Sequence, residues 1–173
     1  MGTLNTKATV SADIVFQQID TDTNSVDNRQ GSLAAKFTMS SGTGIEEINA
    51  VYNVQNHILS GVGDTFHVDF SSATQPIVRS TFAIPFTYLK GLSIHNQETG
   101  LGESIFVRAT GSNAFTEPFN GNSGDFKINP KGSFMYSDSH TGAVVNGSNK
   151  NFQVVNNHAG RSVVTLIAVG ISG

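Results

Sequence analysis

Residues 137–142 read SDSHTG, so Ser137, Asp138, Ser139 and His140 occupy four consecutive positions. These are the residue types of a hydrolase triad, in which a serine attacks, a histidine takes its proton and an aspartate orients the ring. Working triads draw their members from distant parts of a chain. Neighbours in sequence cannot easily set a hydroxyl on one imidazole nitrogen and a carboxylate on the other. Neither serine lies in a GxSxG elbow. The expectation is a turn, with Asp138 accepting backbone N–H groups of its own loop and Gly142 supplying the awkward dihedral.

Other constellations meet the same fate. Asp20, Asp22 and Asn24 match positions 1, 3 and 5 of an EF-hand loop, but Ser25 stands where the sixth residue is glycine and Gly31 where the twelfth is a bidentate glutamate. They are candidate surface calcium ligands on what reads as a solvated connection. His67 and Asp69 share a strand face, yet two ligands do not make a metal site. His57, His95, His140 and His158 have no ligand spacing. GTGIEE lacks the third glycine and the βαβ context of a dinucleotide loop, and no GxxxxGK[ST] cradle is present. Adjacent Glu46 and Glu47 face different ways and do not form a glycosidase pair. Asn146-Gly-Ser is a glycosylation sequon, and MGTLNT fits the permissive myristoylation pattern through Thr6. Both read as chance matches. No catalytic residue, resident metal or cofactor is expected, and the chain reads as a non-enzyme.

Composition narrows the partners. Of 173 residues only 13% are charged, the net charge is −3, and no three basic residues adjoin. A nucleic-acid surface needs clustered Lys and Arg. There are no cysteines, hence no disulfides or thiolate metal sites. No run approaches the ~18 apolar residues of a membrane-spanning helix, and the hydrophobic residues of MGTLNTKATVSADIVF are too dispersed for a secretory h-region.

The elements that must position these residues are strands. Ala8, Val10, Ala12, Ile14 and Phe16 alternate with Thr9, Ser11 and Asp13; Leu33, Ala35, Phe37 and Met39 alternate with Lys36 and Thr38. TFHVDF and SIFVRA repeat the pattern, which belongs to strands with one wet face. RSVVTLIAVGIS is apolar on both faces and predicts a central, doubly covered strand. Loops rich in Gly, Asn and Asp, TDTNSVDNRQG among them, punctuate the chain. Helical spacing of Ile45, Ile48 and Tyr52 allows at most one short helix near 44–53. These readings predict a single all-β domain over residues 1–173: an antiparallel, jelly-roll-like β-sandwich of roughly eight to ten strands.

The order of segments carries a resemblance. GSLAAKFTMSSGTGIEEINAVY, ILSGVGDTFHVDF and YLKGLSIHNQETG are followed by TGSNAF, GDFKINPKGSF, a D-x-x-T-G turn before AVV, FQVVNNHAG and a closing TLIAVGIS. From about Thr9 onward this resembles a family of small β-sandwich proteins encoded among the structural genes of tailed bacteriophages and prophages. It departs from that family in PKG where PGG is frequent, and in a longer loop at DSHTG. The resemblance implies a virion component: a decoration or cement protein on the outer surface of the head, or a head fibre or tail accessory. Its implied partners are itself, as a symmetric homo-oligomer (trimer favoured, dimer possible), and the major capsid protein, with no nucleic acid or membrane. Residues 1–8 read as an N-terminal arm, and Leu4, Val10 and Phe16 as candidate interface residues. The alternative is a receptor- or carbohydrate-binding fibre or tail accessory protein. Trp is absent and Tyr is limited to Tyr52, Tyr88 and Tyr136, which leaves few stacking platforms for a sugar.

Overall fold

The alternating segments become two facing antiparallel sheets. The first runs β11 (Ser133–Ser137), β8 (Phe86–Asn96), β14 (Ser162–Ser172), β4 (Ala50–Leu59), and β12 (Ala143–Val144) pairs along β8 beyond β11. The second runs β10 (Asp125–Ile128), β9 (Ile105–Ala109), β13 (Asn151–Asn156), β5 (Thr65–Asp69). Counting these sandwich strands along the chain, with β11 and β12 as one, the first, eighth, third and sixth share one sheet. The second, seventh, fourth and fifth share the other. That is the order of a jelly roll. The computed structural model describes the backbone of residues 8–22, 25–77, 80–117 and 125–173, and their side chains outside 8, 10–22, 25–37, 75–77 and 80–82.

Period-two burial builds the core. Ile105, Val107 and Ala109 point inward from β9, and Phe152 and Val154 from β13, with Phe106, Arg108 and Gln153 on the outer face. Phe70 is fully buried, with ring centroids 5.2 Å from Phe115, 5.9 Å from Phe152 and 6.1 Å from Phe86. β14 lies between β8 and β4, the central position its apolar run predicts. Its outer face is covered only in part: Val169 packs with Met39, Ile48 and Val51, while Ile167 is 39% exposed.

The two facing sheets hold nine strands, within the roughly eight to ten expected of the sandwich. Fourteen strands are described in all, because the chain adds a β6 (Ala73–Ile77)–β7 (Ser80–Ile84) hairpin, the two-residue β3 (Glu47–Ile48), and β1 (Ala8–Asp22) paired with β2 (Ser25–Ser41). No α-helix lies among the described residues, and the segment near 44–53, where at most one short helix was expected, holds β3 and the start of β4. Ile48 joins the outer-face cluster while Tyr52 joins the sandwich core, so their helix-like spacing serves two opposite faces. TDTNSVDNRQG is not a simple loop either. Thr21 and Asp22 end β1, and Ser25–Gly31 belong to β2 across from them. Backbone pairing along the hairpin overrides the turn preference of those residues.

One irregularity positions the SDSHTG loop. On β8, Gly91 pairs with Val169 and Leu89 with Gly170, so Lys90 is skipped as a bulge. On its other side β8 pairs Gly91 with Ser137 and Leu89 with Ala143, skipping the same residue. β11 and β12 therefore form one edge interrupted where β8 bulges, and residues 138–142 are the excursion between them. A bulge re-aims its extra side chain, and Lys90 is 1% exposed, with Nζ donating to the Gly44 carbonyl at 2.6 Å. At the NPKG turn, where Gly132 N–H donates to Asn129 O at 2.9 Å, Lys131 holds φ 59, a conformation glycine adopts more freely.

Candidate functional site

The SDSHTG loop is assembled around Asp138. Its Oδ1 accepts the N–H groups of His140 at 3.1 Å and Thr141 at 3.2 Å, and its Oδ2 accepts the Thr141 hydroxyl at 3.1 Å. Asp138 N–H donates to Lys90 O at 3.0 Å, and Ser139 O accepts Glu46 N–H at 3.0 Å. The loop thus closes over the buried lysine together with residues 44–46. Gly142 has φ +76, and an added Cβ there would lie 2.9 Å from Lys90 Cγ and 3.0 Å from Leu89 O. Glycine is required for the dihedral and for the approach. Among the described residues no serine or carboxylate bonds the His140 ring.

Burial alone would raise the Asp138 pKa, but the Thr141 hydroxyl and the N–H groups of Thr141, His140 and Gly142 outweigh it and hold the carboxyl below the usual range. A lowered folded pKa contributes stability that is present above the unfolded value and lost as pH falls through the folded one. Asp138→Ala is expected to cost about 1 kcal/mol at neutral pH. The gap from wild type should close under acid, as the native carboxylate is protonated. Urea unfolding of both proteins from neutral pH down to the acid limb checks this. A gap unchanged at low pH would contradict the turn-capping role.

Two serine–histidine hydrogen bonds escaped the sequence reading. Ser133 Oγ lies 2.9 Å from His95 Nδ1 as an exposed cross-strand pair. Ser162, fully buried, lies 2.8 Å from His158 Nε2. In the second pair Gly160 N–H donates to His158 Nδ1 at 3.1 Å, so the ring proton sits on Nε2 and points at the serine. Ser162 in turn donates to Asn156 Oδ1 at 2.9 Å. A nucleophilic serine needs the reverse arrangement, an unprotonated Nε2 able to take its proton. This network, completed by Asn156 Nδ2 donating to Gly160 O at 2.6 Å, fastens the NNHAG connection. Nothing in the spacing of Asn156, His158 and Ser162 signals it, because tertiary burial rather than a motif brings it about.

The outer face of the β10–β9–β13–β5 sheet carries a polar row. Register aligns His67, Gln153, Arg108 and Asp125 across four strands. Gln153 Nε2 lies 2.8 Å from His67 Nδ1, and Arg108 pairs with Asp125 at 2.6 Å. Beside them a depression of about 290 Å³ is lined by His67, Asp69, Thr110, Gly111, Asn151 and Gln153. Asp69 accepts from Lys150 Nζ at 2.8 Å and from the Ser71 hydroxyl at 2.6 Å. Burial works to raise its pKa, but those contacts prevail and lower it. Asp69 is therefore engaged by a lysine, not shared with His67 around a cation. Tyr136 is pushed up to about 12 by burial and by the carboxylates of Asp138 and Glu117. A general acid or base is instead tuned toward neutrality.

The remaining sequence candidates separate. Leu4 and Asn24 lie outside the described residues, as do residues 1–7 of the N-terminal arm, whose last member, Ala8, begins β1. Val10, Phe16, Asp20 and Asp22 lie along β1, where the structure describes the backbone. Among the described residues no group of three His, Asp or Glu side chains is placed to hold a metal ion. The fold defines the chain as a jelly-roll β-sandwich protein. No protein-family model and no curated protein matches the chain.

Proposed function

We propose that this chain is a non-enzymatic virion structural protein, a capsid decoration or cement protein that binds the outer surface of a phage head through the major capsid protein and stabilises the shell. One observation carries the reading: residue types capable of chemistry are engaged in holding loops, whereas large apolar side chains stand exposed on a sheet face. Met135 and Ile167 flank Ser93 in one register row, 42% and 39% exposed, and Tyr88 and Val144 are paired and exposed nearby. Flat, partly apolar faces with a polar rim suit docking on another protein. The ordered segments that resemble phage structural proteins support the same reading. A self-associating chain multiplies such a face by symmetry, as a repetitive shell requires.

Purified chain mixed with heads lacking it should co-sediment saturably and raise the temperature at which the heads rupture. Ile167→Lys, which leaves the sandwich core untouched, is expected to weaken that binding by about tenfold or more. Absence of saturable co-sedimentation would refute the proposal.

A further inference from the structure

Asn146 and Gly147 form an Asn-Gly pair in the connection between β12 and β13. A two-way backbone pair closes the base of this turn: Asn146 N–H donates to Asn149 O at 3.2 Å, and Asn149 N–H to Asn146 O at 3.3 Å. Asn149 is itself pinned, its Nδ2 donating to Val144 O at 2.6 Å and its Oδ1 accepting Thr116 N–H at 3.2 Å. Within the turn, Asn146 Oδ1 accepts two donors from one residue, the Ser148 N–H at 2.9 Å and the Ser148 hydroxyl at 3.0 Å. The first of those bonds closes a ring that contains both Asn146 Cγ and the Gly147 nitrogen, the two atoms a succinimide joins. Residues 146–148 are exposed. Among the described residues nothing accepts the Gly147 N–H or the Asn146 side-chain N–H groups.

We propose that Asn146 is a site of self-catalysed deamidation, with Ser148 supplying the donor pair that stabilises the oxyanion. In this step the Gly147 amide gives its proton to solvent, and its electron pair bonds to Asn146 Cγ. The Cγ–Oδ1 π electrons move onto Oδ1, which the Ser148 N–H and O–H already contact. Donors set in advance on an oxygen that gains charge lower the barrier, as in an oxyanion hole, and a turn held at its base pre-orients the reacting groups. The tetrahedral centre collapses by expelling Nδ2, which takes a proton from water and leaves as ammonia. Water then opens the ring at either carbonyl, giving aspartate, or isoaspartate with the chain rerouted through Cβ. The sum is an amide plus water yielding a carboxylate and ammonium. Each event adds a negative charge to the turn, and isoaspartate lengthens a backbone that Asn149 pins. Val144, whose carbonyl holds Asn149, is exposed beside Tyr88, so the product alters the rim of the apolar face. The chemistry requires no shell, so it stands or falls separately from the decoration function.

Trypsin separates this site, in residues 132–150, from the chain's other Asn-Gly pair, Asn120-Gly121, in residues 109–127. The full chain is incubated at neutral pH both folded and unfolded in urea, and mass spectrometry follows the replacement of NH2 by OH in each peptide. Asn146 should convert about threefold to tenfold faster in the folded chain than in urea, the effect of a hydrogen bond that strengthens in the transition state. Ser148→Ala removes the hydroxyl donor and should slow the folded rate by about threefold to tenfold while leaving the rate in urea unchanged. A Cβ at position 147 would meet no atom within 4 Å, so Gly147→Ala keeps the turn. Its methyl group crowds the attacking nitrogen and should slow conversion in both states. Circular dichroism of each variant checks that the sandwich is intact. Conversion of Asn146 no faster folded than in urea, a folded rate indifferent to Ser148→Ala, or a rate unslowed by Gly147→Ala would overturn the proposal.

Discussion

Phe70→Ala is expected to lower stability by about 4 kcal/mol, the cost of removing a fully buried aromatic ring from a well-packed core. The ring meets Phe86, Phe115 and Phe152 in edge or tilted geometry at centroid distances of 5.2–6.1 Å. Its backbone also ties elements together: Phe70 O accepts Phe86 N–H at 2.9 Å, where the chain enters β8. Truncation leaves a cavity whose walls come from both sheets, so collapse around it is restricted. For a domain of this length the loss corresponds to a fall in Tm of roughly 8–16 °C. Phe126 is the comparison. It is 45% exposed and touches Phe134 at 5.2 Å, so Phe126→Ala should cost only about 1 kcal/mol. Differential scanning calorimetry of the two variants decides the matter, and equal costs would contradict the core assignment.

Gly170→Ala should cost about 3 kcal/mol although it adds a single methyl group. Gly170 faces Leu89 at the point where β8 bulges, and an added Cβ would overlap the carbonyl oxygen of Tyr88 and come within 3.0 Å of Phe86 Cδ1. A flexible side chain can yield, but a carbonyl fixed between paired strands cannot. The bulge would open, and with it the enclosure of Lys90 and the seat of the SDSHTG loop. Urea denaturation and amide exchange of residues 88–92 and 168–171 measure the two consequences. Exchange that stayed as slow as in wild type would show that the bulge tolerates the methyl group.

The same bulge shows where sequence pattern ends. Alternation alone identifies β9, which buries Ile105, Val107 and Ala109 at strict period two against the sheet opposite, and the two-faced apolar run of β14 marks its place between β8 and β4. Alternation cannot reveal that Lys90 is skipped by both neighbours of β8, since a bulge is a property of paired strands and not of one strand's composition. Read with unbroken period two, Lys90 would share an open face with Tyr88. The bulge and the two loops over it bury the lysine instead. Ile48 and Tyr52 mislead for a related reason: both faces of β4's sheet carry apolar clusters, which mixes the period on which the helix reading relied. Turn-forming residues within TDTNSVDNRQG hid the full length of the hairpin, because ladder pairing with a distant partner decides its conformation. At SDSHTG the chemistry was legible in advance from one rule, that adjacent residues cannot assemble a triad. The His158–Ser162–Asn156 network was not, because its members meet through burial.

Cryo-electron microscopy of phage heads incubated with and without the purified chain tests the central claim most directly. Extra density of jelly-roll shape, repeated at symmetry-related positions on the outer surface and touching the major capsid protein, is the predicted result. Heads that look the same in both preparations, with the chain left in solution, would contradict it.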